Sequence, residues 1–355
     1  KHHPPPPPPT TPPPTPPSAC KKFFFNDTAT TEIYTRVGSS AASDVYKRQG
    51  PGRLITLCGP GGVGKTRLAV TVAQRCDVGE RFFVDLSAVR DELLVASAMT
   101  ASLDVLVPPG TAPTDALVDE FRTRDALVVV DNCEHVVAAV GRVAAAVLAA
   151  CPSVQVLATS REHLAIGAER VIVIEPLPTE SDGAGVELFF DRVGRLGVEL
   201  PDDVWRRSVT ELCVALDGLP LAIELAAGRA TVLNPTEILD ALEERFEVLR
   251  DSDEGVSLDR TIAWSWDLLN DEERRALRRL SVFQSGATLD AAAAVFELDR
   301  WSTLNLVQQL SRKSLVTIRH TVDHPTRVEL LDTIRHFVLA RAEEVGSLGR
   351  CRDAH

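Results

Sequence analysis

Apolar positions along this chain follow one rhythm up to about residue 175 and another beyond it. Between 53 and 175, short apolar runs alternate with longer stretches of helical spacing. The runs predict strands over 53–58, 81–86, 126–131, 154–159 and 170–175; the spaced stretches predict helices over 64–76, 91–103 and 134–150. Strands alternating with helices give a parallel α/β sheet with helices on both faces. Ligands of such sheets gather at the carboxyl ends of the strands. After "EPLPTE" (175–180) the strand signal stops, and four helices are expected over 181–250. Beyond 251, "LDRTIAWSWDLLNDEERRALRRLSVF" predicts two helices joined at Asn270-Asp271, either of which can cap the second. Leu258, Ile262, Trp266 and Leu269 recur at helical spacing and are expected in a core. "SLVTIRH" and "TRVELLD" then predict two short strands, followed by a helix from about 332 to 345. Helices ending in a small hairpin suggest a winged helix.

Composition narrows the classes. At 355 residues the chain has room for two or three domains. Its 45% apolar and 25% charged residues are those of a soluble globular protein. No run reaches the roughly 18 apolar residues of a membrane span, and no secretory signal is evident, so a cytoplasmic protein without a membrane partner is expected. The seven cysteines are scattered without a C-x-x-C pair, which favours reduced structural thiols over a zinc site or disulfide framework. A net charge of −12 argues against the whole chain gripping nucleic acid. Arg274, Arg275, Arg278 and Arg279 form a local basic cluster that could face DNA, but Glu272 and Glu273 precede it and a solvated face is the simpler reading.

Residues 1–49 stand apart. The first 19 contain eleven prolines and predict a disordered, partly polyproline II tail. "NDTATTEIYT" (26–35) and "SSAASDVYKRQ" (39–49) resemble in-frame translations of sequencing-library adapters, in the order expected of an assembly artefact. Natural sequence is therefore expected to begin near Gly50. The remainder keeps 32 basic and 47 acidic residues, and of its lysines only Lys65 and Lys313 survive.

One of those lysines lies in the most informative motif. Residues 59–66, "GPGGVGKT", match G-x-x-x-x-G-K-[ST] in full, between a predicted strand and a predicted helix. Glycines let such a loop turn its N–H groups inward around phosphates, and the helix N-terminus adds partial positive charge. Gly59, Gly61, Gly62, Val63, Gly64, Lys65, Thr66 and Arg67 are thus the candidate nucleotide-binding residues, with Lys65 on the β- and γ-phosphates and Thr66 on Mg2+. Asp131 ends the apolar run Leu127–Val130 and is expected to hold the same Mg2+. Arg161, at the tip of the predicted strand 154–159, is a candidate contact for the γ-phosphate. Lys65, Asp131 and Arg161 are accordingly the candidate catalytic residues. Asn132 follows Asp131 where fast ATP-hydrolysing machines often carry a second acid; an amide can position water but cannot take its proton. Glu134 is the nearby acid that could substitute.

From Gly50 to about Ala342 the chain resembles the NB-ARC module of the STAND ATPases, especially bacterial regulators of the antibiotic-regulatory (SARP) or LuxR type. The matching stretches are "GPGGVGKTRLA", "LVVVDNCEH", "LATSRE", "GLPLAIELAAGR", "WSWDLLNDEERRALRRLSVF" and "LLDTIRHF". The resemblance implies a P-loop nucleotide-binding domain over 50–178, a helical domain over 179–250 and a winged-helix domain over 251–355. It also implies bound ATP or ADP with Mg2+. By the same resemblance Pro220 packs on the nucleotide base or sugar, and Leu330-Leu331-Asp332 stands where many relatives carry Met-His-Asp. Asp332 is kept, while Leu331 cannot make the histidine's contact to ADP. Effector and repeat-type sensor domains are expected on either side of the fragment. Self-association in the ATP state is expected as well, with DNA reached through the effector or the winged helix. The reading is a slow ATPase used as a switch. The alternatives are a DNA-binding winged-helix regulator with nucleotide as a structural ligand, and a P-loop motor. A transporter-type signature such as L-S-G-G-Q is absent, and neither an acid base nor an arginine-rich lid of a small-molecule kinase is identifiable.

Overall fold

The structure, a computed structural model, describes residues 52–167, 169–244, 258–284, 286–321 and 324–344. The tail 1–49, the expected domain boundary at 250–251 and residues 345–355 lie outside the described residues.

Five parallel strands form the first sheet: β1 (Leu54–Cys58), β2 (Glu80–Asp85), β3 (Ala126–Asp131), β4 (Val154–Ser160) and β5 (Glu169–Val173). Their order is β2-β3-β4-β1-β5, and every pairing is parallel. The most apolar run makes a central strand: all six residues of β3 are buried, as a strand covered on both faces requires. One face carries α1 (Lys65–Arg75), whose Leu68, Ala69 and Val72 pack on Leu57, Leu127, Val129 and Leu157. The other carries α2 (Val95–Ser102), α3 (Pro113–Phe121) and α4 (Val137–Ala150) over Leu54, Val84, Val128, Val130 and Val156. The fold is therefore the α/β P-loop type expected. Two details differ. Helix α3 was not anticipated; it is short and starts with Pro113 in its first turn, where the missing N–H costs nothing. The helix expected over 134–150 is interrupted: Asn132 has φ 60, residues 133–135 form one 3-10 turn, and α4 begins only at Val137.

Four helices follow, as the change of rhythm predicted: α5 (Ala184–Arg195), α6 (Asp202–Ala215), α7 (Pro220–Arg229) and α8 (Pro235–Glu244). Their core holds Val186, Phe189, Leu212, Leu216 and Ile223, and it also takes in Val63 from the glycine loop and Ile262. The remaining elements are α9 (Leu258–Asp267), α10 (Asp271–Leu280), β6 (Ala287–Thr288), α11 (Leu289–Phe296), α12 (Arg300–Arg312), β7 (Thr317–Thr321), β8 (His324–Glu329) and α13 (Asp332–Glu344). The three strands pair antiparallel in the order β6-β8-β7. Ile262 and Leu269 are buried and Trp266 packs against this core; Leu258, expected with them, lies outside the described side chains. Asn270 caps α10 in a full capping box with Glu273. The buried Glu273 carboxylate also receives Lys313 at 2.8 Å. No helix among the described residues is long and apolar enough to cross a membrane.

Candidate functional site

The glycine loop leaves β1 and enters α1 at the carboxyl edge of the sheet. Gly62 (φ +80) and Gly64 (φ +93) hold left-handed backbone that other residues adopt at a cost. Gly64 caps α1 without a side-chain hydrogen bond, so the helix's first N–H groups point out of the turn without a capping side chain. Lys65 donates from Nζ to the carbonyls of Gly59 and Pro60, at 2.8 and 3.0 Å. Burial lowers its pKa to about 8; Arg161 pushes the same way, while Glu134 and Asp131 oppose it.

Thr66 and Asp131 meet directly. The Thr66 hydroxyl donates to Asp131 Oδ1 at 2.8 Å, and Asp131, on the last residue of β3, also receives the buried Thr159 hydroxyl from β4. Burial raises the Asp131 carboxyl; hydrogen bonds from Thr159 and Thr66 pull it back, and Asp85 and Glu134 push it further up. A hydroxyl and a carboxylate side by side are the hard oxygen donors that Mg2+ takes from a protein when phosphates complete its shell. The donor set therefore fits that ion. The bond between Thr159 and Asp131 had no signal in the sequence.

Asn132 is tied down on both sides. Its Nδ2 donates to Asp85 Oδ1 at 3.0 Å and to Asp131 Oδ2 at 3.1 Å. Asp85 and Asp131 are register partners at the ends of β2 and β3. The two carboxylates end neighbouring strands and Asn132 supplies the donor between them; the sequence did not show this because the order of the strands was not legible in it. Glu134 faces inward, not to solvent. It is 7% exposed and accepts from Nε of Arg161 at 3.2 Å; Arg161 is 8% exposed. The pair puts Arg161 at the same edge of the sheet as Lys65 and Asp131. Burial lowers the Arg161 pKa, and Glu134 offsets that. Cys58 and Cys133 flank this edge, and burial pushes the Cys58 thiol up to about 12 and the Cys133 thiol well above its usual range, which disfavours the thiolate at both.

The glycine loop also touches the helical region. Val63 is 3% exposed within the helical core. Leu221 donates its N–H to the Gly62 carbonyl at 3.2 Å, beside the buried Pro220 that opens α7. The Arg67 guanidinium turns to Glu224 of α7 at 3.2 Å, and Glu224 also binds Arg192 at 2.8 Å. Side chains of two candidate nucleotide ligands, Val63 and Arg67, are thus committed to an inter-unit contact. Asp332 is linked to the loop at one remove: its carboxylate pairs with Arg335 at 2.9 Å, and its N–H donates to Asp217, four residues before Leu221. The winged region also meets the sheet unit directly, where the Ser314 hydroxyl donates to the Arg161 carbonyl at 3.0 Å.

The basic cluster on α10 is largely spent on intramolecular bonds. Arg274 donates to the carbonyls of Trp266 and Asp267, Arg279 to that of Val295 and to Glu297, and Arg278 lies over the Trp266 ring. Neither the DNA face nor the freely solvated face describes these three arginines, which are half-buried; of the cluster, Arg275 is exposed.

Comparison with known proteins adds four findings. A family described as "Winged helix-turn-helix domain" matches residues 269–342. A protein of Mycobacterium tuberculosis named "Putative HTH-type transcriptional regulator Rv0890c" is 37% identical over 85% of this chain; the chain spans 35% of that relative's length. "Uncharacterized protein Rv0894" of the same organism is 34% identical over 86% of this chain and is itself covered over 80% of its length. Among solved structures, the STAND protein PH0952 of Pyrococcus horikoshii, with a tetratricopeptide repeat sensor, is similar at TM-score 0.41 and 15% identity, over 84% of this chain and 41% of that one.

Proposed function

This chain belongs to the family of the mycobacterial protein Rv0894, and from that premise we propose that it is a nucleotide-dependent signal-transduction switch of the NB-ARC, STAND type. In this reading ATP and ADP stabilise different arrangements of the sheet unit (50–178), the helical unit (179–250) and the winged unit (251–355). The observation that carries it is the double role of one loop. Residues 59–66 form the glycine turn at the sheet edge, and the same turn buries Val63 in the helical core and accepts Leu221 N–H. A ligand that reshapes such a turn must act on both units.

The named residues divide the work. Loop N–H groups and Lys65 bind the phosphates, and Thr66 and Asp131 would hold Mg2+, which supplies charge neutralisation when bound. Arg161 contacts the third phosphate. Hydrolysis is slow in this account because Asn132 is fixed between two aspartates and Glu134 is paired with Arg161. Slow turnover suits a timer. Shifting a two-state balance from 1:99 to 99:1 takes about 5.5 kcal/mol of differential binding, and charge-assisted bonds of about 1.5–3 kcal/mol each can supply most of that. The name of the relative Rv0890c supports an output in transcription; in this account the regulator is cytoplasmic and self-associates in its ATP form.

The test is to purify the full chain, denature it and identify the released nucleotide. Stoichiometric ADP is expected; an empty protein that turns over ATP at many cycles per second would favour a motor instead. A second reading has one observation of its own. The exposed face of α12 presents Trp301 (74% exposed), Asn305, Gln308, Gln309 and Arg312, polar groups suited to base edges and phosphates. If the winged unit itself reads DNA, the chain will retain duplex DNA at moderate salt and R312A will weaken that retention.

A further inference from the structure

The segment Leu216–Leu221 joins three parts of the molecule within six residues. At its end, Leu221 binds the glycine loop. In its middle, Gly218 (φ +64) approaches so closely that an added Cβ would lie 2.2 Å from the Leu177 carbonyl oxygen, and the Leu177 N–H binds the Gly218 carbonyl at 2.9 Å. At its start, Asp217 reaches α13. Asp217 is a non-glycine residue at φ +54, a backbone that aspartate tolerates better than most side chains. Its Oδ1 accepts the Asp332 N–H at 2.8 Å and its Oδ2 accepts the Thr333 N–H at 2.7 Å.

These two donors open α13 and need a cap. The residue in the capping position is Leu331, whose carbonyl accepts the first helical bond from Arg335 but whose hydrocarbon side chain can cap nothing. The cap therefore comes from 115 residues earlier in the chain. Burial pushes the Asp217 carboxyl up against the lowering effect of the two N–H groups, which marks a desolvated contact. Leu331 and Phe337 pack against the helical core and the winged core together, so the cap sits beside an apolar seam.

We propose that Asp217 is the clamp that fastens the winged unit to the helical unit, and that the Asp217–Leu221 segment couples this clamp to the nucleotide-binding loop. The first half stands on the contact alone; the second rests on the switch reading above. Leu331 offers the helix end no side-chain acceptor, and the carboxylate of Asp217, from another unit, fills that role.

The experiment uses the full chain with the variants D217A, D217N and D332P. D217N keeps one amide oxygen as acceptor. D332P removes one donor while placing proline at the first helical position, where helices accept it, and so tests the contact from the other side should D217A fail to fold. Hydrogen–deuterium exchange is followed on peptides covering 331–338, and release of a fluorescent ADP analogue is followed by stopped flow. Losing a charge-assisted cap should speed exchange of the α13 amides by about tenfold or more in D217A, with D217N and D332P between it and wild type, and ADP release should accelerate in the same order. Unchanged exchange in folded D217A and D332P would overturn the clamp. Faster exchange with unchanged ADP release would overturn the coupling but not the clamp. If wild type binds no ADP analogue at all, the switch reading fails and the exchange result still decides the clamp.

Discussion

Replacing Asn132 with aspartate would put a second acid after Asp131, where fast ATP-hydrolysing machines often carry one. The structure predicts that N132D damages this protein rather than activating it. The Asn132 amide donates to Asp85 at 3.0 Å and to Asp131 at 3.1 Å. A carboxylate there loses both donors and faces two like charges. At about 3 Å and an effective dielectric of about 20, each such pair repels by roughly 5 kcal/mol; Asp85 is exposed and screens part of this. Protonation sets a ceiling. A carboxyl held neutral up to pH 7 against an unfolded pKa of about 3.9 costs at most about 4 kcal/mol. The expected destabilisation is therefore about 3–4 kcal/mol at pH 7. The sign with pH follows: the new group's folded pKa is raised, so the penalty grows as pH rises above about 4 and shrinks toward about 1 kcal/mol in acid. Urea denaturation at pH 7 and pH 4.5, without metal or nucleotide, measures it, with ATP turnover read alongside. An N132D protein as stable as wild type at pH 7, or one turning over ATP faster, would refute the reasoning.

Three further outcomes are expected. Nucleotide binding should be flat below pH 7 and weaken by up to about tenfold per unit above pH 8, because Lys65 must then take up a proton to bind an anion; calorimetry across pH 6–9.5 shows it, and K65M should abolish the slope along with most of the affinity. G218A should cost about 2–3 kcal/mol in denaturant unfolding, from roughly 1–2 for the left-handed backbone and about 1 for the lost Leu177–Gly218 bond. E224Q should weaken the link between α1, α5 and α7 by about 1–2 kcal/mol, given that Glu224 is 25% exposed, with a smaller loss in 1 M salt.

The sheet was readable because its strands are apolar runs and its helices keep helical spacing; β3 and α1 follow directly from that contrast. The α3 helix was not, because nine residues opening on Pro113 carry too little periodicity. The loop motif identified Lys65 and Thr66, and the aspartate ending β3 identified the oxygen that Thr66 meets. What the sequence could not show was which side chains a turn brings together over long separations. Glu224 is 157 residues from Arg67, and Asp217 is 115 residues from Asp332. Neither pairing has a local pattern, since each depends on how the helical unit is laid against the loop. The direction of Glu134 could not be read for a related reason. One 3-10 turn after Asn132 rotates it inward to Arg161, whereas a regular helix from residue 134 would have left its direction open.

The central claim is that one nucleotide at the 59–66 turn sets the arrangement of the sheet, helical and winged units. Spin labels on the exposed Arg122 of the sheet unit and the exposed Trp301 of α12, replaced by cysteine, would report the distance between those units by pulsed electron paramagnetic resonance in the full chain. The account predicts two distinct distance distributions, one with saturating ADP and one with a non-hydrolysable ATP analogue and Mg2+. Identical distributions with both nucleotides bound would contradict it.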